Sequence, residues 1–158
     1  MSELPITSGV RFLRSHKVAF NPHLYDWEEH GGTAHSAQSL GVAEHQVVKT
    51  LVFETEAKKP LLVLMHGDRE VSTKNLARFL GCKTVAPCSP QNVTRFTGYQ
   101  VGGCSPFGTR QALPIYVESS ILQLPRLFIN GGKRGFLVEL SPAALAILSP
   151  TPVQVAIS

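Results

Sequence analysis

"VVKTLVFETEAKKPLLVLMH", residues 47–66, decides how the rest of the chain is read. Two apolar runs, 47–54 and 61–66, flank the polar "TEAKKP", and this predicts two strands joined as a hairpin. Alternate side chains of a strand share a face, so Val47, Lys49, Leu51 and Phe53 lie together, opposite Val48, Thr50, Val52 and Glu54. Lys49 is thereby set on an otherwise apolar face. An ammonium stripped of water is an oriented donor for a carbonyl oxygen or a phosphate. A strand-edge lysine that discourages aggregation, or one that snorkels to the rim, fits the same pattern.

Outward from the hairpin, short elements alternate. Upstream, a helix is predicted from Thr7 or Ser8 to His16, followed by an extended "VAFNPHLY" and a Ser36-capped helix "AQSL" that Gly41 ends. Downstream, Ser72 starts "TKNLARFL" and Gly81 closes it; Ser89-Pro90 starts a second helix reaching about Phe96. Strands "LPIYVE", "RLFIN" and "FLVEL" follow, with a turn of helix near Ile121. Ser141-Pro142 repeats the cap-proline signature ahead of "AALAIL", and "PVQVAI" is predicted as a closing strand. Hairpin strands mixed with short helices predict an α+β or mixed α/β domain rather than regular βαβ winding. No repeat or linker divides the chain, so one domain over residues 1–158 is expected.

Composition narrows the classes. Hydrophobic residues make up 43% and charged residues 16%, which excludes intrinsic disorder. No apolar run approaches the ~18–20 residues of a membrane span, and the start lacks the order of a secretory signal. A soluble, cytoplasmic protein is expected. Cys82, Cys88 and Cys104 are an odd set without paired zinc spacing, so they read as reduced thiols. Charge is uneven: beyond residue 70, eight Lys/Arg face only Glu118 and Glu139. Such a half attracts a polyanion such as RNA, although halves of a sequence need not be halves of a surface.

Two glycine-rich stretches stand out. In "VGGCSPFG" (101–108), Gly102 and Gly103 have no Cβ to block a ligand, and Pro106 holds the preceding Ser105 extended. Amides of such a loop can converge on a developing oxyanion, and an ordinary turn has the same composition. In "NGGKRGF" (130–136), Asn-Gly signals a hairpin, with Lys133 and Arg134 at its tip able to grip phosphates or simply to be solvated. His23, His30, His35, His45 and His66 show no H-x-x-x-H or H-E-x-x-H spacing, so no metal site is expected. No G-x-S-x-G elbow is present; Cys104 or Ser105 with a distant histidine stays open as a nucleophile pair.

Together, "VVKTLVF", "VGGCSPFG" and "NGGKRGF" resemble the YbaK/EbsC family of aminoacyl-tRNA deacylases, free-standing relatives of the editing domain inserted in bacterial prolyl-tRNA synthetase. The resemblance runs from about Val18 to Ala144. It implies a mixed, partly barrel-like β-sheet flanked by short helices, and hydrolysis of the ester joining a wrong amino acid to tRNA, commonly tRNA(Pro), with prolyl-tRNA synthetase as a possible partner. Lys49 matches the family's pocket lysine, and Gly102 to Pro106 match its G-x-x-x-P loop. Tyr25 matches a pocket-wall aromatic, while Asn130 and Gly131 match the stretch before the basic turn formed by Lys133 and Arg134. Members similar to the Cys-tRNA(Pro) deacylase carry serine where Asn130 stands and aspartate where Leu137 stands.

The chemistry expected is an oxyanion hole from amides of residues 102–106, chiefly Gly102 and Gly103, with Lys49 orienting the carbonyl or a phosphate. Cys104, Ser105, Pro106, Tyr25, Asn130 and Gly131 would line the substrate. Attack would come from water, a ribose hydroxyl or a substrate thiol, and no cofactor is called for. The competing expectations are a non-catalytic tRNA- or nucleotide-binding module and a hydrolase that uses Cys104 or a metal.

Overall fold

The computed structural model describes residues 4–158. In chain order the elements are α1 (Ser8–Ser15), β1 (Asn21–Leu24), α2 (Gly32–Leu40), β2 (Val47–Thr55), β3 (Pro60–His66), β4 (Glu70–Val71), α3 (Thr73–Leu80), β5 (Val85–Pro87), α4 (Pro90–Thr97), β6 (Ile115–Glu118), β7 (Leu127–Lys133), β8 (Phe136–Leu140), β9 (Thr151–Val153) and β10 (Ala156–Ile157). Short 3-10 turns precede β2, follow β6 and follow β8.

The helices begin where side-chain oxygens satisfy free amides. Thr7, Ser72 and Ser89 accept from the amides of Val10, Asn75 and Asn92 at 3.0, 3.1 and 3.3 Å. Gly41, Gly81 and Gly98 end α2, α3 and α4 in the left-handed conformation. One predicted start is wrong: α2 begins at Gly32, and Ser36 is buried mid-helix, where its hydroxyl donates to Thr33 O at 3.1 Å instead of capping.

The predicted hairpin is the centre of a mixed sheet of order β1-β8-β7-β2-β3-β6-β9. Strand β2 pairs antiparallel with β3 from Val48↔His66 to Glu54↔Pro60. Its other edge is shared: Val47 and Val48 run parallel to Phe128 and Ile129 of β7, while Phe53 to Thr55 run antiparallel to β5. Between these two partners Lys49 to Leu51 have no strand neighbour on that edge, so the sheet forks there. Strand β3 is buried on both faces, which explains its unbroken apolar run. Its Leu61, Val63 and Met65 pack with Leu76 and Ala77 of α3, and Leu64 packs with Val10 and Leu13 of α1.

Two turns depart from expectation. The Asn130–Gly131 pair is not the hairpin turn: Asn130 Oδ1 accepts from the amides of Gly132 and Lys133 at 2.6 and 3.0 Å, which makes a bulge inside β7. Pairing resumes at Lys133↔Phe136, so Arg134-Gly135 form the turn, with Gly135 at φ +80°. "PVQVAI" splits into β9, parallel to β6, and β10, antiparallel to β4. Glu118 causes the break, because its buried carboxylate takes the Val155 amide at 2.7 Å and removes it from a ladder. Strands β4 and β5 are two and three residues long and carry no periodicity that a sequence could show.

Candidate active site

The fork opens into a cavity of about 760 Å³. It is lined by Val47 to Val52 of β2, by Tyr25 and Trp27 beyond β1, by Gly102 and Cys104, and by Asn130, Arg134 and Leu137 of the β7–β8 hairpin. Lys49, Tyr25, Gly102, Cys104, Asn130 and Arg134 are therefore brought together from segments far apart in sequence. Gly103, Ser105, Pro106 and Gly131 are buried behind that lining, and Lys133 is exposed outside it.

Lys49 is held by an acid that sequence reading missed. Its Nζ lies 3.3 Å from Glu70 Oε1 of β4, with the lysine side chain 19% exposed and the glutamate 71%. The site carries more negative charge than a phosphate cleft would: Glu28, Glu29, Glu44 and Glu70 line it beside Lys49 and Arg134. Thr50 is a second omission; its Oγ1 is buried among the cavity residues with no hydrogen-bond partner among the described residues. A polar atom so placed fits a ligand that supplies the missing bond.

The glycine-rich loop has a specific division of labour. The Gly103 amide donates to Gln100 O at 2.9 Å and closes the turn, so it is not free for an oxyanion. A Cβ at Gly103 would lie 2.9 Å from Arg134 N and 3.1 Å from the Lys133 carbonyl carbon; glycine is there because two backbones meet. Gly102 takes φ +89°. The Phe107 amide donates to Ser105 Oγ at 3.1 Å. Among the described residues, no hydrogen bond engages the amides of Gly102, Cys104 and Ser105.

The hairpin fixes this loop. Asn130 Nδ2 donates to Gly102 O at 3.3 Å and to Lys133 O at 3.1 Å. Arg134 Nε donates to Val101 O at 3.0 Å, and its guanidinium lies 4.3 Å over the Trp27 ring. Gly131 O instead accepts from Thr7 Oγ1, tying β7 to the start of α1. Tyr25 stands edge-on to His35, and burial pushes its phenol above the usual value.

Neither candidate nucleophile is activated. Burial pushes the Cys104 thiol up to about 11; it donates to Gln100 O at 3.6 Å, and among the described residues no imidazole is bonded to it. Ser105 is fully buried, its oxygen accepting from Phe107 N.

The histidines do converge, although outside the cavity. His45, His66 and Asp68 place potential ligand atoms within 4.8 Å of one another, a cluster that linear spacing hides. The two rings stack in parallel, 3.7 Å apart and 6° from coplanar, so in-plane lone pairs of both cannot meet one ion without a ring turning. Both His66 nitrogens are already bonded, Nδ1 to His45 O and Nε2 to Ser120 Oγ, each at 2.7 Å. Burial is the main cause holding the His66 imidazole below its ordinary value of 6.5. Below 6.5 the unfolded chain then binds protons that the folded chain resists, so stability is full above that value and is lost as pH falls toward the lowered folded value. The melting midpoint should drop between about pH 7.5 and pH 5.5, at roughly 2–4 °C per kcal/mol for a domain of this size. An unchanged midpoint would contradict this assignment.

Comparison with known proteins follows the same geometry. The model of the family described as "Aminoacyl-tRNA editing domain" matches residues 28–148, which span β2, the loop and the hairpin. The chain is 33% identical over 144 residues to EbsC of Enterococcus faecalis, a candidate Cys-tRNA(Pro)/Cys-tRNA(Cys) deacylase, covering 90% of this chain and 88% of EbsC. It is 28% identical over 105 residues to a proline–tRNA ligase of Limosilactobacillus fermentum, covering 64% of this chain and 18% of the ligase. A solved structure described as a candidate trans-editing enzyme for prolyl-tRNA synthetase superposes with a TM-score of 0.81 at 24% identity, over 99% of this chain and all of the other. With a mixed sheet, a forked β2 and a family match across most of its length, the chain belongs to the aminoacyl-tRNA editing domain family.

Proposed function

We propose that the cavity hydrolyses the ester of a mischarged aminoacyl-tRNA, acting in trans on tRNA(Pro) that carries cysteine, alanine or another small amino acid. One observation carries the reading: a lysine and a bare-backbone loop meet in one cavity whose two thiols, Cys88 and Cys104, are both pushed by burial up to about 11. A site without a nucleophile of its own suits an ester that is already activated. Water, or a nucleophile belonging to the substrate, adds to the acyl carbon. The unspent amides of Gly102 and Cys104 take the developing oxyanion, and Lys49 supplies a charged donor beside them. Collapse of the tetrahedral species expels the terminal ribose oxygen, which leaves with a proton. Each oxyanion donor of this kind contributes about 10²–10³ in rate. The lining carboxylates support a role the sequence did not suggest, a favourable field for the substrate's α-ammonium, and they make a phosphate partner for Lys49 the weaker alternative.

Hydrolysis of a panel of mischarged tRNAs, with Cys, Ala, Ser and Thr on tRNA(Pro) and Pro-tRNA(Pro) as control, tests the reading. Turnover of at least one mischarged species with Pro-tRNA(Pro) spared is expected; turnover of none would leave the non-catalytic binding module. Cys104→Ala separates the remaining reading. It should hydrolyse the same tRNAs within about threefold of wild type, because a thiol held near 11 is not the attacking group. Loss of all turnover in a folded Cys104→Ala protein would make Cys104 the nucleophile.

A further inference from the structure

Arg134 was expected as a free cation at the tip of a hairpin, and it is neither free nor at liberty to turn. Its Nε is committed to Val101 O at 3.0 Å, and its plane lies 4.3 Å over Trp27. Trp27 lines the cavity, while Arg134 is exposed to solvent. The pair also touches the glycine loop: a Cβ at Gly102 would come within 3.2 Å of Trp27 Nε1 and 3.4 Å of Arg134 Nε. A guanidinium with one face on an indole and the rest open is a stacking platform, and nucleobases of single-stranded RNA stack on such planes. Phosphate is the poorer match, because one donor of the fork is already spent and Glu28 and Glu29 follow Trp27 directly along the cavity wall.

We propose that Arg134, backed by Trp27, seats the terminal base of the tRNA acceptor end, so that the ester carried by the same nucleotide falls against the Gly102 loop. The proposal rests on the deacylase reading of this cavity. It makes Arg134 and Trp27 positioning residues that act through the base rather than on the reacting carbonyl.

Trp27 is the chain's only tryptophan, so its emission reports on this platform alone. Adenosine monophosphate should quench that emission saturably, ribose 5-phosphate at equal concentration should not, and Arg134→Gln should weaken the nucleotide about tenfold. Equal quenching by ribose 5-phosphate, no quenching by the nucleotide, or an Arg134→Gln variant that binds as wild type would each overturn the platform. A kinetic arm separates the platform from the reaction. Arg134→Gln should raise KM about tenfold on intact aminoacyl-tRNA, over and above any fall in kcat from the lost Val101 bond, and that KM penalty should vanish on a substrate whose terminal nucleotide lacks its base. A penalty that persists on the abasic substrate sinks the platform while leaving the deacylase intact. Base-dependent quenching in a wild-type protein that hydrolyses no aminoacyl-tRNA supports the platform and sinks the deacylase.

Discussion

Lys49→Ala is expected to lower kcat for deacylation by about 10²–10³, the range found when one charged or oxyanion-directed donor is removed from a reacting centre. The effect should fall on kcat rather than KM, because the donor matters most once charge has developed on the carbonyl oxygen. Folding should hardly change. The Lys49–Glu70 pair has one partner 71% exposed, and such ion pairs contribute about 0–1 kcal/mol. A melting curve like that of wild type with a rate two orders of magnitude lower is the expected signature. Full activity in Lys49→Ala would remove the lysine from the mechanism even if hydrolysis is real.

Gly103→Ala should give the second largest effect, by a different route. Its new methyl would meet backbone atoms of Arg134 and Lys133 at 2.9 and 3.1 Å, and neither can move aside as a side-chain tip would. Overpacking of this kind costs about 1–3 kcal/mol, which is roughly 2–12 °C in melting midpoint for a domain of this size. Relief requires the loop to lift off the hairpin, which stretches the Asn130–Gly102 and Arg134–Val101 bonds that hold it. Deacylation should therefore fall at least tenfold in protein that is still folded at the assay temperature. Wild-type melting together with wild-type turnover would show that the two backbones are not locked as described.

Much of the fold was legible because local chemistry and burial agree. The 47–66 hairpin shows in sequence because β3 is apolar on both faces, and three helix starts show because Thr7, Ser72 and Ser89 bond the amides that need them. Ser36 misled because a serine mid-helix and a serine at a cap look alike until the start at Gly32 is known. The fork was not legible, since it depends on Val47 meeting Phe128 and Phe53 meeting Pro87 along one edge. For the site, motif residues led to Lys49, Gly102 and Asn130, all of which line the cavity. Glu70, Thr50 and Trp27 carried no spacing signal, and the Gly103 amide could not be known to be spent without Gln100 O in view. The pairing of His45 with His66 is likewise a product of the β2–β3 register, which sets Val48 opposite His66 with His45 in the turn just before β2, rather than of any interval along the chain.

Asn130 spends its whole side-chain amide on the backbone, accepting twice at Oδ1 and donating to Gly102 and Lys133 from Nδ2. Loop and hairpin are thus held as one part. Transplanting residues 101–108 alone into a relative whose hairpin carries serine at the Asn130 position would deliver the glycines without the Asn130–Gly102 bond that ties them to the hairpin, and without the three further Asn130 bonds that shape the hairpin itself. Exchange of pocket chemistry between members of this family requires residues 126–136 to travel with the loop.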